Sequence, residues 1–223
     1  MLIWLLVLVP LAAGLLAQRR VRDTFRRYAA VPNMRHVSGA EVARALLDAH
    51  RLGGIRVELA PGALTDHYDP VGHALRLSRD VGEACSVAAL GIATHEVAHA
   101  YQDAEGSRVY RLRKRIAEPL GKVAPWSGPI LFGGILLGNV PLIVLACAYM
   151  AGLVAFSVVT LPVELQASRR ALVLLAGTHL ADDQELPQIR SVLRAAACTY
   201  AASVAQQLGI FGALLLIALA MVR

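Results

Sequence analysis

The chain has 223 residues, of which 57% are hydrophobic and only 17% are charged, and its mean hydropathy is +0.54. These values exclude an ordinary soluble domain and predict that much of the chain lies in lipid. The net charge of +6 comes from arginines that flank apolar stretches, as membrane orientation requires, and not from a basic surface interleaved with aromatic residues, so we expect no nucleic-acid partner. The three scattered cysteines lack Cys-x-x-Cys spacing and exclude a disulfide framework.

The first predicted element is a membrane-spanning helix over residues 1–17, which carry no charge. At about 1.5 Å per helical residue this stretch reaches about 25 Å, enough to cross a thin bilayer. Several arginines follow within residues 19–27, and no basic segment precedes the apolar one. This order favours an anchor over a cleaved signal peptide and predicts that the arginines stay in the cytoplasm.

Residues 18–122 are predicted to form a small α+β part on the cytoplasmic side. Ser38 and Glu41 have the spacing of a capping box, which opens a helix. Alternation of period two then predicts short strands near residues 56–59 and 74–77. The second strand is a candidate for aligning an extended peptide along its edge.

The central motif is a pair of histidines, His95 and His99, with Glu96 beside the first. Ser86 is placed to cap the helix that carries them, and its many apolar and alanine neighbours predict that this helix is largely buried. Residues four apart share one helical face, so both imidazoles can reach one zinc ion. Glu96 lies at the edge of that face, where a carboxylate can act as general base on a water molecule. The motif therefore predicts a zinc peptidase.

Two further catalytic candidates, His67 and Tyr68, lie in the polar loop between the predicted strands. Their side chains could donate hydrogen bonds to the oxyanion of a tetrahedral intermediate, or orient a metal ligand. A polar turn held by local hydrogen bonds of the Asx type explains the same residues. Both readings stay open at this point.

Residues 125–162 contain no charged side chain and are too long for one span of about 20 residues. An interruption at residues 138–141 predicts a helical hairpin with its turn on the outer side. The first arm, residues 126–137, is short, so it either begins near Leu120 or enters the membrane without crossing. A last apolar stretch, residues 195–222, predicts a final span, which gives about four transmembrane or membrane-inserted helices. The predicted parts, in chain order, are an N-terminal transmembrane helix (residues 1–17), a zincin-like part (18–122), a membrane hairpin (123–162), a third-ligand segment with cytoplasmic-side helices (163–194) and a C-terminal transmembrane helix (195–223).

A catalytic zinc site needs a third protein ligand besides the two histidines. The extended pattern of metzincins is absent, because Gln102 and Glu105 stand where that pattern has glycine and histidine. A hairpin returns the chain to the side it left, so Glu164 is predicted to emerge on the same side as His95 and His99. The remaining candidates for the third ligand are Asp66, His67 and Asp103.

With these motifs in place, the chain resembles the YugP-type neutral zinc metallopeptidases of bacterial membranes. The resemblance covers most of the chain in the same order and rests on residues 64–70, 75–78, 95–99, 161–164 and 167–172. It implies a multi-pass peptidase of the bacterial cytoplasmic membrane that acts on protein or peptide substrates, membrane proteins among the candidates. It implies no particular substrate and no oligomeric state.

A more distant similarity is to the HtpX and CAAX-prenyl protease group, in which a membrane hairpin also separates the histidine helix from a Glu-x-x-x-Asp helix. Here Ser168 stands at the position of that aspartate. The resemblance therefore leaves one histidine without an assigned partner, for which the candidates are Asp66, Asp69 and Asp103.

The first hypothesis is a membrane-embedded zinc endopeptidase whose site faces the cytoplasm. His95, His99 and Glu164 hold Zn²⁺ in it, as in gluzincins, the zinc peptidases whose third ligand is a glutamate, and Glu96 is the general base. The alternative is a non-catalytic membrane scaffold or chaperone partner with structural zinc or none. A structural zinc usually has a fourth protein ligand, and the sequence offers no evident one beyond His67.

Overall fold

The computed structural model describes the backbone of residues 2–222 and the side chains of residues 4–219. Within this range the chain is mostly helical and contains one small sheet, as the sequence predicts. The elements are α1 (Leu2–Ala29), α2 (Gly39–Ala49), β1 (Arg56–Ala60), β2 (His67–Asp69), β3 (Ala74–Ser78), α3 (Arg79–Gly82), α4 (Val87–Ala104), α5 (Arg108–Leu136), α6 (Val140–Gly177) and α7 (Glu185–Val222).

The chain divides into two compact units, and each is built from separate chain segments. The polar unit contains Arg19–Ser107 and Glu164–Ala197. The apolar unit contains Met1–Gln18, Arg108–Val163 and Cys198–Arg223. Helices α6 and α7 therefore each contribute one part to each unit.

The sheet of the polar unit has the strand order β1-β3-β2, with β1 parallel and β2 antiparallel to β3. The two strands predicted near residues 56–59 and 74–77 are confirmed as β1 and β3, and β2 is an additional strand within the predicted loop. Because β3 is the central strand, both of its edges are paired. The prediction that β3 aligns a peptide along a free edge is therefore wrong.

The core of the polar unit lies between the sheet and helices α2 and α4. Leu46 of α2, Leu75 of β3 and Leu90 of α4 are fully buried there. The second chain segment completes this core with Leu175 of α6 and Ile189 of α7, which are also buried. Since each buried leucine or isoleucine contributes about 1.5–3 kcal/mol, the second segment stabilises the unit substantially.

Helix α2 begins as its sequence predicts. The Ser38 side chain accepts a hydrogen bond from the Glu41 backbone N–H, and the Glu41 carboxylate accepts one from the Ser38 N–H at 2.7 Å. This reciprocal capping box satisfies two of the backbone donors that a helix start leaves unpaired.

Three helices are long and apolar enough to cross a membrane, over Trp4–Ala29, Val140–Gly177 and Glu185–Leu219. The chain is thus a mostly helical membrane protein with a small α+β part. Two glycines mark how its apolar unit is built. Gly138, at φ 61°, allows the turn between α5 and α6. Gly209 lets α7 approach α1, because a β-carbon there would collide with the backbone oxygen of Leu6.

Helices α6 and α7 are longer than the sequence indicates. The predicted boundaries at residues 162–163 and 194–195 fall inside α6 and α7, which continue across them. Proline in a helix interior removes one backbone hydrogen bond and usually kinks or ends the helix. Helix α5 also begins earlier than the predicted hairpin arm, at Arg108, and contains three prolines.

Candidate metal centre

Helix α4 carries the histidine pair and is almost entirely buried. The Ser86 side chain caps it by accepting a hydrogen bond from the Ala89 N–H at 3.1 Å. The rings of His95 and His99 lie on one face of α4, with their centroids 4.8 Å apart and their planes nearly perpendicular. The face predicted from the four-residue spacing is therefore present.

Glu164, on α6, lies directly against this histidine pair. Its Oε2 atom is 3.1 Å from Nε2 of His95 and 3.3 Å from Nε2 of His99. The Glu164 side chain is buried, with only 2% of the residue exposed. The chain segments that carry these residues are separated by the whole hairpin in sequence, so the predicted return of the chain to the histidine helix is observed.

The three side chains fit a zinc ion. Their possible ligand atoms all lie within 4.8 Å of one another. In a tetrahedral zinc site with bonds of about 2.1 Å, neighbouring ligand atoms are about 3.4 Å apart. The observed separations of 3.1 and 3.3 Å between Glu164 and the two histidines match this value closely.

The second nitrogen of each imidazole also has a partner. Nδ1 of His99 is 2.9 Å from Oε1 of Gln102, and Nδ1 of His95 is 3.3 Å from Oγ of Ser168. An amide oxygen only accepts hydrogen bonds, so Gln102 requires the proton of His99 on Nδ1. The Nε2 lone pair is then available on the side that faces Glu164, as metal coordination needs.

Charge in the centre also favours a cation. Burial alone lowers the pKa of His99, but the hydrogen bond to Glu164 and the negative charge of Glu96 outweigh it and raise that pKa above its usual value. The site thus stabilises a positive charge at this point, which a divalent metal supplies.

Glu96 is also buried, and its Oε2 atom accepts a hydrogen bond from the backbone N–H of Tyr68 at 3.1 Å. Tyr68 belongs to β2, the outer strand of the sheet next to α4. The strand therefore fixes the carboxylate of Glu96 beside the histidine pair.

The side chains of His67 and Tyr68 have partners outside the metal group. The Tyr68 hydroxyl donates to Oδ2 of Asp103 at 3.2 Å. Burial, followed by the negative charge of Asp103, raises the pKa of Tyr68 to about 12, so the phenol stays protonated at neutral pH. His67 is exposed, and its Nδ1 atom is 2.7 Å from the backbone oxygen of Thr65.

The remaining aspartates named by the sequence have structural partners. Asp66 accepts hydrogen bonds from the backbone N–H and the hydroxyl of Ser78. Burial raises the pKa of Asp66 above its usual value, because it outweighs these bonds, which lower that pKa. Asp69 accepts from the N–H of Gly72 and from Arg76, and these bonds lower its pKa to about 2. Neither one partners His95, whose Nδ1 is next to Ser168 itself.

Sequence reasoning missed Gln102 as a partner of His99. The signal was available, since residues three apart on a helix are neighbours and a glutamine is long enough to reach the imidazole. In the sequence Ser168 stands out only as a substituted aspartate, although a hydroxyl can accept the same hydrogen bond.

Comparisons with known proteins agree with this geometry. A model of the family described as "putative neutral zinc metallopeptidase" matches residues 3–219. The chain is 38% identical over 204 residues to the "Putative membrane protease YugP" of Bacillus subtilis (strain 168), covering 91% of this chain and 90% of that protein. No solved structure matches the chain. With nearly the whole sequence matched, and with three side chains grouped as a zinc ion requires, the chain belongs to this family of neutral zinc metallopeptidases.

Proposed function

We propose that the chain is a membrane-embedded, zinc-dependent endopeptidase of the gluzincin type. His95, His99 and Glu164 hold the metal, and their convergence is the observation that carries the proposal. Zinc bound there supplies Lewis-acid chemistry, in that it lowers the pKa of a water molecule to about 7 and polarises a carbonyl oxygen.

Glu96 is the general base of the proposed reaction. Its carboxylate takes a proton from the attacking water and passes that proton to the leaving amine nitrogen as the peptide C–N bond breaks. Oε2 of Glu96 is held by the Tyr68 N–H. Its other oxygen, Oε1, accepts no hydrogen bond from residues 4–219 and is available for this proton transfer.

His67 and Tyr68 stay proposed as donors to the oxyanion. His67 is the stronger of the two candidates, because its ring is exposed and the contact of its Nδ1 atom with the Thr65 backbone oxygen leaves Nε2 for a substrate. Donation by the Tyr68 hydroxyl first requires its bond to Asp103 to break. Both edges of β3 are paired, whereas β2 is an edge strand next to α4. An extended substrate that pairs with the sheet on this side therefore pairs with β2.

We place the enzyme in the bacterial cytoplasmic membrane, crossing it several times, with the centre on the cytoplasmic side. Three apolar helices support the membrane location. The side is supported by the arginines of residues 19–27 and 169–170, which lie in the segments that form the polar unit. Labelling of intact cells tests the side in a chain whose exposed Cys85 and Cys198 are replaced by serine, since a cysteine introduced at exposed Gly54 is then expected to react only with membrane-permeant reagents. Reaction with an impermeant reagent contradicts the orientation.

The number of ligands favours catalysis over a structural metal. Structural zinc sites usually have four protein ligands, whereas catalytic sites have three and leave one position open. Among residues 4–219, the metal group contains three such side chains. This supports an enzyme over a scaffold that uses zinc only for folding.

Glu96→Gln tests the mechanism. Glu83→Gln is the matched control, because Glu83 is exposed and belongs neither to the metal group nor to the proposed mechanism. Glu96→Gln is expected to keep one zinc per chain and to lower cleavage of unfolded casein by about 10²–10⁴-fold, the usual effect of losing a general base. Glu83→Gln is expected to leave both unchanged. Full activity in Glu96→Gln contradicts the mechanism.

A further inference from the structure

A basic groove lies on the first two turns of α5, in the apolar unit. It has a volume of about 570 Å³ and is lined by Arg108, Arg111, Leu112 and Arg115. At 3.6 residues per turn these four positions fall within an arc of about 100° on one helical face. Three arginine side chains therefore lie on one helical face and line the groove together with one leucine.

The charges of this groove are not compensated by the protein. Arg108, Arg111 and Arg115 form no ion pair and no side-chain hydrogen bond with another of residues 4–219. A few other arginines of the chain do pair with acids, as Arg170 does with Glu105 at 2.6 Å. A groove with three unpaired positive charges is complementary to an anion that arrives from outside the chain.

The same helical face contains one acid further along α5, and that acid has its own partner. Glu118 pairs with Lys122 at 2.8 Å. Because this pair is internally neutral, it leaves the positive charge of the groove undiminished. The groove keeps a net charge of about +3, since arginine is always protonated.

The hairpin sets the level of the groove in the membrane. Helices α5 and α6 are joined by the turn at residues 137–139 and approach closely at Leu120 and Gly152, where a β-carbon on the glycine would lie 2.9 Å from the leucine. From Gly152 the charge-free part of α6 continues for about 16 Å to Val163, and from Leu120 back to Arg111 the distance along α5 is about 14 Å. Arg111 thus lies close to the level where the apolar part of α6 ends.

We propose that this groove binds the phosphate headgroup of an anionic phospholipid. Guanidinium groups bind phosphate oxygens in a bidentate manner, and long arginine side chains place their charge at headgroup level while their stems stay in apolar surroundings. Leu112, which is 47% exposed, gives the groove the apolar contact that the glycerol and acyl part of a lipid needs. Inorganic phosphate shares the charge but has no apolar part.

Binding of short-chain lipids to the full-length protein in a neutral detergent tests the proposal. The probes are dioctanoyl phosphatidylglycerol, dioctanoyl phosphatidylcholine and inorganic phosphate, measured by titration calorimetry. Phosphatidylglycerol is expected to bind, to be weakened by salt, and to bind much more tightly than the other two. Arg108→Gln, Arg111→Gln and Arg115→Gln combined are expected to weaken it about a hundredfold, because each arginine near an anionic surface contributes about a factor of five.

Two control variants separate a defined site from general attraction to positive charge. The combination Arg19→Gln, Arg20→Gln and Arg22→Gln removes three exposed charges from α1, and is expected to change phosphatidylglycerol binding less than threefold. Circular dichroism and zinc content establish that each variant is folded. If the triple α5 variant does not fold, Arg111→Gln alone is expected to weaken binding about fivefold.

Three results overturn the proposal. Equal losses in the α1 and α5 variants mean that the attraction is diffuse. Equal binding of phosphatidylcholine means that the negative charge of the lipid is not recognised. Full competition by inorganic phosphate at the concentration of the lipid means that the groove takes free phosphate and not a lipid.

Discussion

Replacing Gln102 by leucine is expected to weaken zinc binding selectively. The Gln102 residue is only 3% exposed, and its Oε1 atom accepts the Nδ1 proton of His99 at 2.9 Å. Leucine has a similar size but no acceptor. The variant therefore leaves a buried N–H without its side-chain acceptor whenever the imidazole carries its proton on Nδ1.

Loss of this hydrogen bond destabilises the zinc-bound state more than the zinc-free state. Without zinc, the imidazole of His99 can move its proton to Nε2 and donate it to Glu164, whose Oε2 atom is 3.3 Å away. With zinc, Nε2 must be free, so the proton has to stay on Nδ1. Loss of a buried hydrogen bond costs about 1–3 kcal/mol, and a middle value of about 2 kcal/mol corresponds to roughly thirtyfold in affinity, within the 10–100-fold known for outer-shell changes at metal sites.

Competition with a coloured chelator measures this affinity on the purified protein in detergent. Gln102→Glu keeps an acceptor oxygen and is expected to bind zinc at least as tightly as the original chain. Gln166→Leu makes the same replacement at an exposed position of α6 and is expected to have no effect. Zinc affinity of Gln102→Leu within threefold of the original, or an equal loss of stability without zinc, would refute this reasoning.

Two further predictions concern β2. Tyr68→Phe removes the bond to Asp103 and is expected to lower the free energy of unfolding by about 1.5 kcal/mol, the lower end for a bond to a charged acceptor. Turnover is expected to change little, because His67 is the stronger of the two proposed oxyanion donors. A hundredfold fall in kcat at unchanged KM would instead mean that the hydroxyl stabilises the oxyanion. Asp69→Asn is expected to lower the melting temperature at pH 7 and to have little effect near pH 2. The reason is that the native pKa of Asp69 is about 2, below its unfolded value, so its contribution is complete above pH ~4 and is lost as the pH falls towards 2. An equal effect at both pH values would exclude this cause.

The local features of the metal centre could be predicted because they depend on spacing and chain direction. The positions of His95 and His99 follow from the geometry of one helix. The placement of Glu164 on the same side as the histidines follows from the rule that an even number of membrane crossings returns a chain to its starting side. Both arguments need only the sequence, and all three residues lie in the metal group.

Long-range strand pairing was less accessible to sequence analysis. Residues 67–69 form a strand only because β3 offers them a partner and Tyr68 packs into the core. Three residues are too few to give a periodic pattern. The central place of β3, and with it the wrong prediction of a free edge, depends on this unpredicted pairing.

The continuity of α6 is hard to predict for a different physical reason. The predicted hairpin ends at Pro162, and proline usually interrupts a helix. In α6 it lies between long apolar and polar stretches whose remaining backbone hydrogen bonds continue the helix on both sides. The low helix propensity of this single proline is outweighed by the backbone hydrogen bonds of the rest of the helix.

The division of the polar unit between two chain segments constrains the order in which a newly made chain can mature. During synthesis the first segment, Arg19–Ser107, is made well before the second, Glu164–Ala197. Until the ribosome has produced the hairpin and the second segment, the early segment lacks Glu164, the third side chain of the candidate metal group, as well as Leu175 and Ile189 for its core. With the mechanism proposed above, a truncated or half-inserted chain is therefore expected to have no cleavage activity, and the proposed protease becomes active only when its synthesis is nearly finished.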